Sequence, residues 1–185
     1  DFTRTTLSRI FNNGDTKNPK FNQGGRFYHG WWMEIPKEYR SFITINGKKT
    51  IELDYSAMHF YMMYAEKGLD IPEDDLYVLD GLERNDCKKA LNIAINSSSK
   101  TKATTSISES VWTDKSREEV ESLLDKLLCK HKLIDEFFFT GKGVHLQFKD
   151  SCIAESIMIR AWDEYEVLVL PVHDSFIIPA GFRDV

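Results

Sequence analysis

Hydrophobic and polar positions along the chain predict a mixed succession of short strands and helices. Residues 1–25 show little apolar patterning, are rich in Asn, Gly, Lys and Arg, and carry turn signals at Asn13-Gly14 and Gly24-Gly25. They read as a polar arm or irregular lead-in. The aromatic and basic run Arg26–Trp32 suits a strand, and Pro36–Arg40 the start of a short helix. Phe42–Ile45 and Thr50–Leu53 flank Asn46-Gly47, the pair that a type I′ hairpin turn favours. A helix is expected from Ala57 to Lys67, with Ser56 as N-cap and Gly68 as its stop. After an acidic connection at 69–83, Arg84 to Asn96 is the next helix. The Ser/Thr/Lys-rich stretch Ser97–Ser110 then reads as a loop or mobile segment. Val120, Leu123, Leu124, Leu127, Leu128 and Leu133 recur near i, i+3, i+4 spacing, so residues 118–139 should be helical. A long helix is expected at residues 150–162, followed by the buried strand run Val167–Val172, interrupted at His173-Asp174 and resumed at Phe176–Ile178. No internal repeat is visible, and the pattern is that of an α+β domain.

With 185 residues, 42% hydrophobic and 12% aromatic, the chain can bury one domain-sized core, which excludes dominant disorder. No apolar run approaches the roughly 18 residues of a membrane span, and Arg4 and Arg9 are not followed by the apolar region of a signal peptide. Three widely spaced cysteines without a CxxC exclude a disulfide scaffold and a cysteine-rich zinc site, and fit a reducing, cytoplasmic location. The five histidines form no HxH or HxxxH pair, and no P-loop motif exists. The chain opens on Asp1 rather than Met, so it reads as a piece of a longer protein.

The net charge of −5 is unevenly spread: +5 over residues 1–50, −8 over 51–83, +3 over 84–133 and −5 over 134–185. Ordinary solvated surface accounts for such an alternation. So does a protein whose basic segments meet phosphates while its acidic segments hold cations.

Asp54 and Asp174 bear on that choice. Each follows a β-rich or apolar run, Thr50–Leu53 and Val167–Val172 respectively. A carboxylate at the end of a buried strand is costly unless paired, hydrogen-bonded or metal-bound, and two on neighbouring strands suit hard divalent cations. The alternatives are that Asp54 caps the helix near Ser56 and that His173-Asp174 is a hairpin tip.

Glu52-Leu53-Asp54-Tyr55-Ser56 resembles motif A of DNA polymerase I-type enzymes. Val172-His173-Asp174-Ser175-Phe176, followed by Ile178-Pro179-Ala180, is similar to motif C of phage-type single-subunit RNA polymerases. Val144–Gln147, Asp150-Ser151 and the helix to Trp162 resemble the segment leading into that motif, and Gly25-Arg26-Phe27-Tyr28 looks like the Gly-Arg-x-Tyr element of the same enzymes. The four matches stand in family order. The resemblance implies a polymerase palm: an antiparallel sheet packed by helices, with a small fingers-like helical insertion. It implies that Asp54, Asp174 and the Tyr55 carbonyl bind two Mg²⁺ ions, with Mn²⁺ as a substitute. It places His173 near the primer end, with Arg26 and Tyr28 on template, primer or nascent strand.

Motif B of that superfamily carries Arg and Lys four residues apart on one helix face, and Arg84 and Lys88 have that spacing. The resemblance gives them the triphosphate of an incoming nucleotide, with Lys88 neutralising or protonating pyrophosphate. A solvated basic face is the plainer reading, and Lys89 leaves the register open by one. The chain departs from the family where Asn96 and Ser97 replace a Tyr and its neighbouring Gly, and where His59 stands in place of the glutamate that screens the ribose 2′-hydroxyl in the DNA polymerases. The implied layout is an arm at 1–25, a first palm part at 26–83, a reduced fingers-like region at 84–140 and a second palm part at 141–185. The function implied is a template-directed nucleotidyltransferase using nucleoside triphosphates, with RNA slightly favoured over DNA. The alternative is a non-catalytic nucleic-acid-binding module that retains the palm fold.

Overall fold

The computed structural model describes residues 4–183 and is α+β, with helices and antiparallel sheets. It divides into two compact units, one running to Met58 and resuming at His145, the other spanning His59–Val144. Residues 59–83, grouped by sequence with the first aspartate, fall in the second unit.

In the first unit the lead-in is not irregular: β1 (Ser8–Phe11) pairs antiparallel with β2 (Gly24–Tyr28). Arg9 anchors it, donating from Nε to the Gly25 carbonyl at 2.9 Å, from Nη1 to Glu155 at 2.9 Å and from Nη2 to the Ser151 hydroxyl at 2.7 Å. Two of these partners are far away in sequence, so local pattern could not reveal the strand. The register shifts between Ile10 and Phe11. There Gly24 takes φ 70°, and a Cβ on it would lie 2.3 Å from the Asn12 Oδ1. β2 stops at Tyr28 because His29 adopts φ 75° and Trp31–Glu34 turns into a short helix, α1, rather than extending the strand to Trp32. A second short helix, α2, covers Lys37–Arg40.

The larger sheet has β3 (Thr44–Ile45), β4 (Lys48–Asp54), β5 (Leu170–Val172) and β6 (Ser175–Pro179) in the order β3-β4-β6-β5, all antiparallel. Asn46 and Gly47 join β3 to β4 with φ of 51° and 73°, the two positive values that a type I′ turn requires. Strand alternation gives each face its own core. Ile45, Leu170, Val172 and Ile177 cluster with Trp32 and Ile43, and the Trp32 indole donates to the Pro171 carbonyl at 2.8 Å. On the other face Ile51, Leu53, Phe176 and Ile178 pack with Ala154, Ile157, Met158 and Ala161 of α7 (Gly143–Tyr165). Of the apolar run 167–172, only Leu170–Val172 joins the ladder; Val167 and Val169 are buried in the α7-facing core without pairing. α7 begins at Gly143 rather than near residue 150.

The second unit is helical. α3 (Met58–Glu66) lies where the pattern predicts a helix, and Ala57, with φ 55°, separates Ser56 from its first turn. α4 covers Arg84–Asn96, as its pattern predicts. The stretch expected to be a mobile loop is instead α5 (Lys100–Ser110). Ser99 caps it, its hydroxyl accepting from the Lys102 N–H at 3.3 Å, and Ala103, Thr104 and Ile107 form a narrow buried stripe that small polar neighbours obscure in sequence. α6 (Arg117–Lys130) opens with a capping box between Ser116 and Glu119. It does not continue to Phe139: it ends at His131, and a 3₁₀ segment follows at Lys132–Phe137. α4, α5 and α6 pack on one another. Among the described residues no helix is long and apolar enough to cross a membrane.

Candidate functional site

The β4–β6 ladder brings the two aspartate-bearing segments together. Asp54 lies opposite Ser175, the residue after Asp174, and the Tyr55 N–H donates to the Asp174 carbonyl at 3.2 Å. Directly opposed residues in antiparallel strands have Cβ atoms about 5 Å apart. His173 and Asp174 form the two-residue connection from β5 to β6, with Val172 opposite Ser175. His173 holds φ 57° there, a left-handed conformation that His tolerates better than most residues. Ala57, three residues past Asp54, holds φ 55°. Backbone strain of this kind concentrates at functional turns.

Asp54 and Tyr55 are exposed, while His173 and Asp174 are half-buried. Among the described residues neither aspartate has a Lys or Arg ion-pair partner. The nearby arginines are held by other acids. Arg26 grips Asp150 Oδ2 through Nε at 2.8 Å and Nη2 at 2.6 Å, and the Asp150 side chain is only 3% exposed. Arg40 Nη1 meets Glu52 Oε1 at 3.1 Å. Burial pushes the Asp150 carboxyl above the ordinary range, Arg26 pulls it back, and the charge of Asp174 pushes it up again. Burial likewise lowers the His173 imidazole, with Arg26 adding to the effect and Asp174 opposing it. The Tyr28 and His173 rings meet edge-on at 5.3 Å.

An oxygen-only donor set of two carboxylates and a main-chain carbonyl suits Mg²⁺, which takes one or two protein carboxylates and completes its shell with water and phosphate oxygens. Among the described residues no group of three or more His, Cys, Asp or Glu side chains converges to hold a metal ion. A cavity of about 440 Å³ opens next to Asp54 and Tyr55 on the α7 side of the sheet, floored by Leu53, Val169, Phe176 and Ile178.

The remaining sequence candidates belong to the second unit. Arg84 and Lys88 share one face of α4 over the Tyr77 ring, at 5.2 and 5.7 Å, and Arg84 is paired with Asp75 at 2.7 Å. His59 is half-buried on α3. Asn96 ends α4, its amide donating to the Asn92 carbonyl at 2.8 Å, and Gly143 packs so closely that a Cβ there would lie 1.9 Å from Asn96 Oδ1.

Sequence reasoning missed the polar groups behind the aspartates. Ser175 Oγ donates to Glu52 Oε1 at 2.8 Å and also lies 3.1 Å from the Val172 carbonyl. Strand period was the available signal, since Glu52 stands two residues before Asp54 and shares its face. Asp150 stood in the segment that resembles the lead-in to motif C, but its pairing with Arg26 was hidden because the two lie far apart in sequence. Comparison with protein families, with curated proteins and with solved structures finds no match for this chain.

Proposed function

We propose that the chain is a template-directed nucleotidyltransferase, a compact polymerase of palm type that extends a 3′-hydroxyl, with RNA synthesis slightly favoured over DNA. The observation that carries this reading is the pairing of the two aspartate segments, with Asp54 opposite Ser175 and the Tyr55 N–H on the Asp174 carbonyl. Asp54, Asp174 and the Tyr55 carbonyl are the proposed metal ligands. Mg²⁺ held by them would activate the attacking hydroxyl and neutralise the departing pyrophosphate. In this reading the chain positions the reactants: the end of β4 carries Asp54, the tight β5–β6 turn carries Asp174 beside it, and the left-handed His173 presents its ring toward the primer end beside Tyr28. Arg26 acts from within its Asp150 pair, fixing β2 to α7 and lending positive potential to the aspartates. Arg84 and Lys88 are proposed to bind triphosphate, the Tyr77 ring holding both cations on one face of α4.

The second reading, a nucleic-acid-binding module that keeps the fold without catalysis, draws on Asn96. Its amide is tied to its own helix where a polymerase of this kind carries an aromatic lid.

Extension of a labelled primer on a defined template, with Mg²⁺ or Mn²⁺ and either ribo- or deoxyribonucleoside triphosphates, separates the two. The proposal expects products that follow the template, need the metal and vanish in Asp54→Ala and Asp174→Ala proteins. Retention of primer–template binding without any extension by the folded wild-type protein favours the binding module.

A further inference from the structure

Glu52 is the hinge of a three-residue chain that runs from α2 to the turn carrying Asp174. Its Oε1 accepts from Arg40 Nη1 at 3.1 Å and from Ser175 Oγ at 2.8 Å. Ser175 is buried and sits directly after Asp174 and directly opposite Asp54. Its hydroxyl also reaches back to the Val172 carbonyl, so one side chain spans the connection from β5 to β6. The Arg40 and Glu52 side chains are only 15% and 20% exposed, enough burial to limit competition from water. A carboxylate placed here has little reason to exist for stability alone, since partly buried ion pairs often do no better than apolar residues of similar volume.

We propose that the Arg40–Glu52–Ser175 chain is a positioning device for Asp174, holding the β5–β6 turn in register with Asp54 so that the two carboxylates present one site to a divalent cation. This deepens the polymerase reading and rests on its metal site. Glu52 touches no reacting atom in this account. It acts through Ser175, and the hydrogen bonds rather than its charge do the positioning. A Gln at this position, which still offers an acceptor oxygen, therefore preserves the device, whereas Ala removes it.

The test compares wild-type protein with Glu52→Ala, Glu52→Gln, Ser175→Ala and Asp174→Asn in two measurements that need no catalysis. The first is hydrogen exchange at the Tyr55 amide, which reports the bond to the Asp174 carbonyl. The second is Mn²⁺ titration. Supporting groups behind metal ligands typically matter by about 10- to 100-fold in metal affinity. The expected result is Mn²⁺ binding weakened in that range by Glu52→Ala, with faster Tyr55 exchange, and near-wild-type values for Glu52→Gln. Ser175→Ala should follow Glu52→Ala in direction, and it carries the test alone if Glu52→Ala does not fold.

If Glu52→Gln loses metal as severely as Glu52→Ala, the charge itself is needed and the positioning account is overturned. Unchanged exchange and affinity in both Ala variants overturn it too, leaving the metal site intact. If Asp174→Asn binds Mn²⁺ as well as wild type, the metal site of the polymerase reading fails, and the positioning role toward it fails with it.

Discussion

In the second unit two neighbouring acids of the stretch 69–83, Asp74 and Asp75, are answered by cations of the same unit. Lys130 meets Asp74 at 2.7 Å and Arg84 meets Asp75 at 2.7 Å, so both acids are held below the ordinary carboxylate range, chiefly by those hydrogen bonds. In the first unit Asp54 and Asp174 have no such partner among the described residues, although Arg26 and Arg40 belong to the same unit. Those two cations are instead locked to Asp150 and Glu52. The difference separates two uses of acidic residues. A carboxylate closed by a neighbouring Lys or Arg is a structural counterion, whereas two unclosed carboxylates, one at the end of β4 and one in the adjoining β5–β6 turn, remain available to a ligand. Segment charge alone points to 51–83 as the cation-binding stretch; the structure divides it, with Asp74 and Asp75 closed and Asp54 open.

Four variants break or sharpen this contrast. The largest effect is expected from Arg26→Met, which leaves Asp150 buried without its counterion. Breaking such a pair costs about 3–5 kcal/mol, read as a fall in the urea midpoint at neutral pH. Asp150 already titrates high through burial, and losing Arg26 removes what pulls it back. With a folded pKa raised above the unfolded value of 3.8, the deficit is fully present above the folded pKa. It shrinks as pH falls from there toward 3.8. A deficit independent of pH would show that Asp150 is not the group left stranded.

Gly143→Ala comes next. Its Cβ must displace the Asn96 amide or the end of α4, an overpacking cost of about 1–3 kcal/mol. A neutral result by calorimetry would mean that the α4 end yields freely.

His131 is a fully buried ionisable group of the second unit, and it is satisfied internally. Nε2 donates to the Leu76 carbonyl at 2.9 Å, leaving Nδ1 to accept from the Tyr64 hydroxyl at 3.5 Å. Burial holds its pKa below the ordinary 6.5 despite the Leu76 bond. The folded state therefore favours the neutral ring: its contribution is whole above 6.5 and is lost as pH falls from 6.5 toward the lower folded value. Chemical denaturation should show stability declining with a slope of at most about 1.4 kcal/mol per pH unit in that window. His131→Leu should remove that component, and an unchanged slope would assign it to other groups.

The smallest effect belongs to Ser99→Ala, which removes the α5 N-cap at a cost of about 1 kcal/mol. Thermal melting that does not move would mean that α5 is held by Ala103 and Ile107 alone.

The fold was legible where local chemistry suffices. Asn46-Gly47 announced its hairpin, the α4 boundaries followed from pattern, and the apolar strands around Asp174 stood out. It was illegible where distant partners decide the outcome. β1 exists because Arg9 reaches Glu155 and Ser151, and α5 because a stripe of only Ala103, Thr104 and Ile107 finds a core. The polar groups behind the candidate site followed the same division. Asp54 and Asp174 were visible as charges interrupting apolar runs, but Glu52, Ser175 and Arg40 acquire meaning only once β4 and β6 are paired.

Single-nucleotide incorporation on a primed template at saturating Mg²⁺ tests the central claim most directly, comparing wild-type protein with Asp54→Asn and Asp174→Asn at matched stability. Loss of a group that stabilises transition-state charge typically costs about 100- to 1,000-fold. The account predicts a template-matched nucleotide added by the wild type and a loss of at least that size in each variant. Equal rates in all three proteins would contradict it.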